Sequence, residues 1–355
     1  MGQVFHAGPV KTVQKGAQED GDMVSGIVSW GPDVLGPSFS ASSFAVAGRG
    51  EHTSATLVRY EPGRGPATRG TVLYVHGWSD YFANPELART VTAAGFRFYA
   101  LDLHGYGRNL TDEVLASGHI PGLATDLREY WPDFQAAREV MMADGAAVDP
   151  RHLVVLAHST GSLTMSLLLM EHPGQVAGLG LATPWIAPHG FPWIDRLVLA
   201  AAGLLPERFH DRRLPVRANT HYHRTLSSTR DGVWEVDPRW RPERSFPITP
   251  SLLTSTAQAR ERLLDLHADG RDVGAPVLVQ TSKRSLLLPW WDERKHARDS
   301  VLDVKAIRRR STVLHPAPKV ISYDGAIHDV HRSATPIREQ AFRDLQQWLG
   351  ELDLG

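Results

Sequence analysis

Apolar residues in this chain gather into short unbroken runs and seldom alternate with polar ones, which decides the kind of sheet the chain builds. Thr71 to Val75, Phe96 to Leu101 and Leu153 to Leu156 are continuous aliphatic, aromatic and β-branched stretches, the pattern of strands buried on both faces of a parallel sheet. Helical segments fall between them at Asn84 to Ala94 and Leu123 to Asp144, and strand alternating with helix predicts βαβ units with right-handed crossovers. Val176 to Ala182, Pro276 to Gln280 and Lys319 to Tyr323 are expected to be further core strands, with a closing helix near Pro336 to Leu349. Upstream, Phe44 to Val46 and Thr56 to Tyr60 flank Gly48-Arg49-Gly50 and read as a hairpin. Proline and glycine from Glu61 to Gly70 then mark a loop. The polar, glycine-rich stretch of residues 1–31 is expected to be a loosely held arm.

From Trp185 to Gly274 the alternation stops, and proline, tryptophan, histidine and arginine become frequent. The expected organisation is a core of residues 1–185 and 275–355 with residues 186–274 inserted as a cap. Ligands of open α/β sheets bind beyond the carboxyl ends of the strands, so a cap placed there would shape the pocket. Trp193, Trp234, Trp240 and the segment Ile194 to Leu205 suit an acyl chain, or else form the cap's own small core. Trp185 and Trp193 are the candidates for substrate binding.

Chemistry enters at Ala157-His158-Ser159-Thr160-Gly161, between the run Leu153 to Leu156 and the helical-looking segment Leu163 to Met170. In a G-x-S-x-G elbow the serine occupies a strained strand-to-helix turn, and small flanking residues let the two elements approach. Ala157 replaces the first glycine and keeps a small side chain there. Ser159 is thus a candidate nucleophile, with the following helix turning its N-terminal amides toward developing negative charge.

A serine hydroxyl needs a base within hydrogen-bond reach, and the base needs an orienting acid. His328, in Gly325-Ala326-Ile327-His328-Asp329 just past the last expected strand, is the candidate base among 17 histidines, with His331 its nearest rival. Asp292, Asp299 and Asp303 all follow the run Pro276 to Gln280. Asp299 is favoured, standing at the start of an apolar turn 29 residues before His328. Asp303 has the position of an N-cap for a helix Val304 to Arg310. Oxyanion-hole amides are expected from Thr160, after the nucleophile, and from Trp78 in the loop His76-Gly77-Trp78. Asp102-Leu103-His104-Gly105-Tyr106-Gly107-Arg108-Asn109 reads as a structural loop, with Asn109 able to cap the next helix.

Composition narrows the field. The 355 residues are 42% hydrophobic and 22% charged, with a net charge of -1, globular values that favour neither a nucleic-acid partner nor a strongly anionic surface. Arg308-Arg309-Arg310 reads as a solvated helical face. The absence of cysteine rules out disulfides and cysteine-bound metal, and histidines and carboxylates show no metal-ligand spacing such as H-E-x-x-H. No metal or cofactor is expected. Met1 to Asp22 lack the apolar core of a signal peptide, and no run approaches the ~20 residues that span a bilayer. A cytoplasmic location is therefore expected, with no transmembrane segment.

Taken in order, strand-His-Gly, D-L-x-G-x-G, x-H-S-x-G, D-x-V-x-D and G-x-x-H-D resemble the α/β-hydrolases of the serine aminopeptidase S33 type, which include monoacylglycerol lipases and lysophospholipase-like proteins. The resemblance runs from about Leu35 to Leu349. Trp30 to Gly36, Val75 to Phe82 and Asp299 to Val304 carry a closer likeness to a bacterial branch. It implies an α/β-hydrolase fold with a mostly parallel central sheet flanked by helices and an inserted cap or lid. It further implies a Ser159, Asp299, His328 triad with Trp78 and Thr160 as oxyanion donors. Ala157 and Ser162 where glycines are usual, and Asn109 where serine is common, depart from the pattern without removing a catalytic group. The expected activity is hydrolysis of a lipid-like or small acyl ester through an acyl-enzyme. Acyl transfer or thioester hydrolysis by the same triad is the alternative, ahead of peptidase activity or a non-catalytic relic of the fold. No acidic cluster in the cap stands out to recognise a free amino terminus. The expected partner is a small acyl substrate.

Overall fold

The computed structural model describes residues 28–46, 53–61, 69–188, 193–215 and 220–354. Most of the expected N-terminal arm and the turn Gly48-Arg49-Gly50 lie outside the described residues. The strands are β1 (Gly31–Pro32), β2 (Phe39–Ala45), β3 (Ser54–Tyr60), β4 (Gly70–Val75), β5 (Phe96–Asp102), β6 (Leu153–His158), β7 (Gly178–Ala182), β8 (Val277–Ser282) and β9 (Lys319–Tyr323). They form one sheet in the order β1-β2-β3-β5-β4-β6-β7-β8-β9. The first three strands join antiparallel, β3 pairing with β5, while every pairing from β5 to β9 is parallel. β4 lies between β5 and β6, so the direction of winding reverses beside it, and the crevice beyond the ends of β4 and β6 is where such sheets bind ligands.

The helices are α1 (Pro85–Ala93), α2 (Asp112–Ala116), α3 (Trp131–Ala143), α4 (Ser159–Glu171), α5 (Trp193–Gly203), α6 (His221–Leu226), α7 (Pro250–Ala268), α8 (Val304–Arg310) and α9 (Thr335–Glu351). Local chemistry sets several of their starts. Asn84 caps α1 by accepting from Leu87 N, Thr249 caps α7 from Leu252 N, and Asp303 caps α8 from Lys305 N and Ala306 N, each satisfying amides the helix cannot. The expected helix Leu123 to Asp144 is shorter than its pattern, because Pro132 sits at its first turn and only a short 3-10 turn precedes it.

Two apolar layers enclose the sheet. Leu73, Val155, Leu181 and Val279 pack on one face with α3, α4 and α7. Val72, Val154 and Leu278 pack on the other with α1 and α9 through Leu87, Leu345 and Trp348. α4 is buried along nearly its whole length, which explains its lack of an amphipathic pattern. α7, from the segment between β7 and β8, buries Leu263 and Leu266 in the same layer as the sheet. Among the described residues no helix is long and apolar enough to cross a membrane.

Asn109 and two residues of the arginine run in α8 take roles other than the expected ones. Asn109 does not cap α2, which starts from Thr111. Instead its side chain donates to Asp102 O and Leu103 O and accepts from Thr56 Oγ1 at 2.6 Å, stitching the loop after β5 to β3. In the arginine run only Arg309 is exposed. Arg308 donates to Ser282 O and Arg310 to Ile186 O, both half-buried.

Candidate active site

The close approach of α4 to β4 fixes where the site lies. A Cβ on Gly161 would meet His76 O at 2.1 Å and Val75 O at 3.0 Å, so only glycine lets the helix start against that strand. Gly161→Ala is expected to cost about 1–3 kcal/mol through overpacking, measured as a lower denaturant midpoint at unchanged slope. An unchanged midpoint would refute this reading of the contact. Two residues earlier, Ser159 has φ 52°, a left-handed conformation that strains a non-glycine residue by ~1–3 kcal/mol and lifts the hydroxyl off the end of β6. A second strained residue supports the turn. Thr183, at φ 45°, donates its amide to Gln280 O, and Trp185 two residues on donates its amide to Ser159 O at 3.1 Å.

The three residues expected to act together are in contact. Ser159 Oγ lies 3.0 Å from His328 Nε2, and His328 Nδ1 lies 3.0 Å from Asp299 Oδ2. All three are buried, Asp299 completely. The other oxygen of Asp299 accepts from Val301 N at 2.7 Å and Leu302 N at 2.8 Å, so this carboxylate spends its lone pairs on two amides and one imidazole. A carboxylate only accepts, which places the proton on His328 Nδ1 and leaves Nε2 to accept from Ser159. Asp299's backbone is pinned by bonds to Arg284 O and from Leu286 N. Of the rival acids, Asp292 caps a 3-10 turn and pairs with Arg294, and Asp303 caps α8. His331 is turned away, its Nε2 donating to Gln280 Oε1 at 2.8 Å, and burial lowers its pKa to about 4.

His76 does more than close a turn. Its Nε2 accepts from Leu103 N, so Nδ1 carries the proton and donates to Gly77 O at 2.7 Å. Carbonyl and amide of a trans peptide point in opposite directions, so fixing the Gly77 carbonyl also fixes the direction of the Trp78 N–H. The loop passes close to the nucleophile: a Cβ on Gly77 would lie 3.1 Å from Ser159 Cβ. Thr160, in the first turn of α4, brings the other expected amide. Trp193, by contrast, is 56% exposed at the start of α5, and Trp185 meets the nucleophile through its backbone.

A buried polar cluster that sequence patterns do not reveal lies against the other side of His328. Asp80 is 3.1 Å from Arg241 Nε and 3.4 Å from Arg332 Nη1. Burial opposes its ionisation, yet the guanidiniums of Arg332 and Arg241 hold its carboxyl at about 2. The His158 ring centre is 5.0 Å from that of His328, and burial lowers the His158 pKa to about 4. That imidazole is neutral near pH 7 and adds no charge beside a protonated His328. The Tyr222 ring stands edge-on to His328 at 4.9 Å. Asp80 Oδ2, the Tyr222 hydroxyl and both His158 ring nitrogens are buried without a hydrogen-bond partner.

The segment before α7 is tied down over these loops. Trp234 Nε1 donates to Arg332 O at 2.9 Å, Tyr81 Oη accepts from Asp237 N at 2.8 Å, and Ser79 Oγ accepts from Phe246 N at 3.0 Å. Trp240 also packs edge-on against Tyr81.

Six parallel strands, a serine at a strained turn after β6, an aspartate beyond β8 and a histidine beyond β9 define an α/β-hydrolase. Residues 66–332 match the profile of the serine aminopeptidase S33 family, and the chain belongs to that family. A stretch of 122 residues, 34% of this chain, is 30% identical to a monoacylglycerol lipase of Mycolicibacterium smegmatis and spans 40% of that relative's length. Among solved structures, the Paleococcus ferrophilus monoacylglycerol lipase superposes with a TM-score of 0.55 at 18% identity, over 88% of this chain and 98% of its own. A thermostable carboxyl esterase from Bacillus coagulans in complex with glycerol does so with a TM-score of 0.62 at 16% identity, over 89% and 99%. At these identities the likeness is one of fold.

Proposed function

We propose that the protein hydrolyses carboxylic esters through an acyl-enzyme, with Ser159 as nucleophile, His328 as base and acid, and Asp299 holding the imidazole. The single observation that carries this reading is the unbroken Ser159–His328–Asp299 hydrogen-bond chain at 3.0 Å per link. As Ser159 Oγ attacks the acyl carbon, His328 Nε2 takes its proton, and the oxyanion is received by the Trp78 and Thr160 amides. His328 then protonates the departing alkoxide as the ester C–O bond breaks. A water, deprotonated by His328 in turn, attacks the acyl-enzyme, and the carboxylic acid leaves as the Ser159 hydroxyl is restored. Of residues 186–274, expected as a cap, the part before α7 acts as one over this centre, while α7 packs in the core layer.

The polar cluster of Asp80, His158 and Tyr222 fits the alcohol side of the substrate, since buried polar atoms without partners favour a ligand that supplies them. A hydroxyl-bearing leaving group meets that requirement. The names of the relatives, monoacylglycerol lipase and carboxyl esterase, agree with ester cleavage. The deciding experiment is reaction with a fluorophosphonate probe followed by peptide mapping. The adduct is expected on Ser159 in the native protein and not after acid unfolding. An unlabelled native protein would overturn the proposal.

A further inference from the structure

Resting on the ester-hydrolase reading, we infer that the acyl side of the site is closed at short chain length, and that Tyr106 and Leu252 set the limit. A cavity of about 10 Å³ adjoins both expected oxyanion residues, Trp78 and Thr160, and is walled by Leu103, Tyr106, Leu127 and Leu252 among others. That volume holds about one water. Its lining is predominantly apolar carbon, which suits methyl and methylene groups, although Trp78 Nε1 is buried there without a hydrogen-bond partner.

Two of its wall residues, Trp78 and Tyr106, are backed by fixed structure. Trp78 meets the Phe246 ring edge-on at 6.3 Å, and Tyr106 lies 5.8 Å from Phe246. Gly122 fills the space among them so closely that a Cβ would meet Phe246 at 2.8 Å, Trp78 at 3.1 Å and Tyr106 at 3.2 Å. Two of these residues are also tied by hydrogen bonds. The Tyr106 hydroxyl donates to Gly122 O, and the Phe246 amide donates to Ser79. Tyr130, another wall residue, packs on His104, whose Nδ1 is 2.8 Å from the buried Asp133 carboxylate. Lengthening the cavity therefore requires moving several anchored groups together.

The other directions are no better for a chain. On the far side of His328, methylenes would cover Asp80 Oδ2, the Tyr222 hydroxyl and the His158 nitrogens without satisfying them. On α5, Trp193 and Leu197 are turned largely to solvent, 56% and 57% exposed.

The test is kcat/KM of the full chain on p-nitrophenyl acetate, butanoate and octanoate, with Ser159→Ala subtracted. A fall of at least ~10-fold from butanoate to octanoate is expected, since hydrophobic pockets discriminate by ~10–200-fold per misfit group. Leu252→Ala and Tyr106→Ala are expected to raise the octanoate-to-butanoate ratio by ~10-fold. Octanoate cleaved by the native protein as well as butanoate overturns the inference, and that series needs no variant to fold. A steep native preference with the ratio unmoved in folded variants overturns the assignment of the wall. Loss of Ser159-dependent cleavage on all three esters, with no phosphonate adduct, removes the ester-hydrolase reading itself and this inference with it.

Discussion

Ser159→Ala is expected to lower kcat on a p-nitrophenyl ester by at least ~10⁴-fold, since the members of such a triad act as a unit. Binding and folding should survive, because the elbow is held by Gly161 against His76 and by Trp185 N on Ser159 O. Asp299→Asn should be nearly as damaging, with a loss of about 10⁴-fold, for a reason visible in its hydrogen bonds. One carboxylate oxygen accepts from Val301 N and Leu302 N. An asparagine that keeps those bonds must turn its NH₂ toward His328 Nδ1, which forces the imidazole proton to Nε2. Nε2 then faces the Ser159 hydroxyl as a donor and cannot accept its proton. Steady-state rates for both variants, with thermal melts to show that they fold, check this. Ser159→Ala retaining more than a tenth of the native rate would exclude Ser159 as the nucleophile.

Acid is expected to destabilise the fold well before the carboxylates titrate. His158 and His331 have pKa values of about 4, lowered by burial from 6.5. Between pH 6.5 and about 4 the unfolded chain binds protons that the folded chain does not, so stability falls as pH falls through that window. A shift of that size corresponds to roughly 3 kcal/mol for each residue, reached by pH 4 with no further loss from these groups below it. Asp80 acts in the same direction lower down: its carboxyl is at about 2 against 3.8, so its contribution is present above pH 3.8 and disappears towards pH 2. Urea unfolding at steps from pH 7 to pH 4 measures the slope, and His331→Gln should flatten it. A stability constant from pH 7 to pH 4.5 would contradict the burial of these imidazoles as neutral groups.

The parallel strands were legible in the sequence because burial on both faces demands unbroken apolar runs, and β6, β7 and β8 are buried throughout and β4 from Thr71 onward. β2 was legible only at its end, since Phe39 to Ser43 lie near the antiparallel edge and mix serine with apolar residues. Asn109 sits where a helix cap would, but its partner Thr56 is 53 residues away, and no local pattern carries that information. The same limit explains the site. Ser159, Asp299 and His328 come in a fixed chain order after identifiable strands, so reading along the chain brings them together. Asp80, Arg241 and Arg332 come from three separate segments and pair only in space. Asp80's place in the loop that carries Trp78 was the one available sign, and His158 gave none beyond adjacency to the nucleophile.

The ties between residues 234–246 and the catalytic loops bear on how substrate arrives. Trp234 ends on Arg332, Asp237 on Tyr81, Arg241 on Asp80 and Phe246 on Ser79. Peeling this stretch away would leave the Asp80 and Arg332 charges without Arg241 and would release the Ser79 side chain next to Trp78. Opening along that edge would break these four ties together, while the Gly77 carbonyl that sets the direction of the Trp78 N–H stays held by His76.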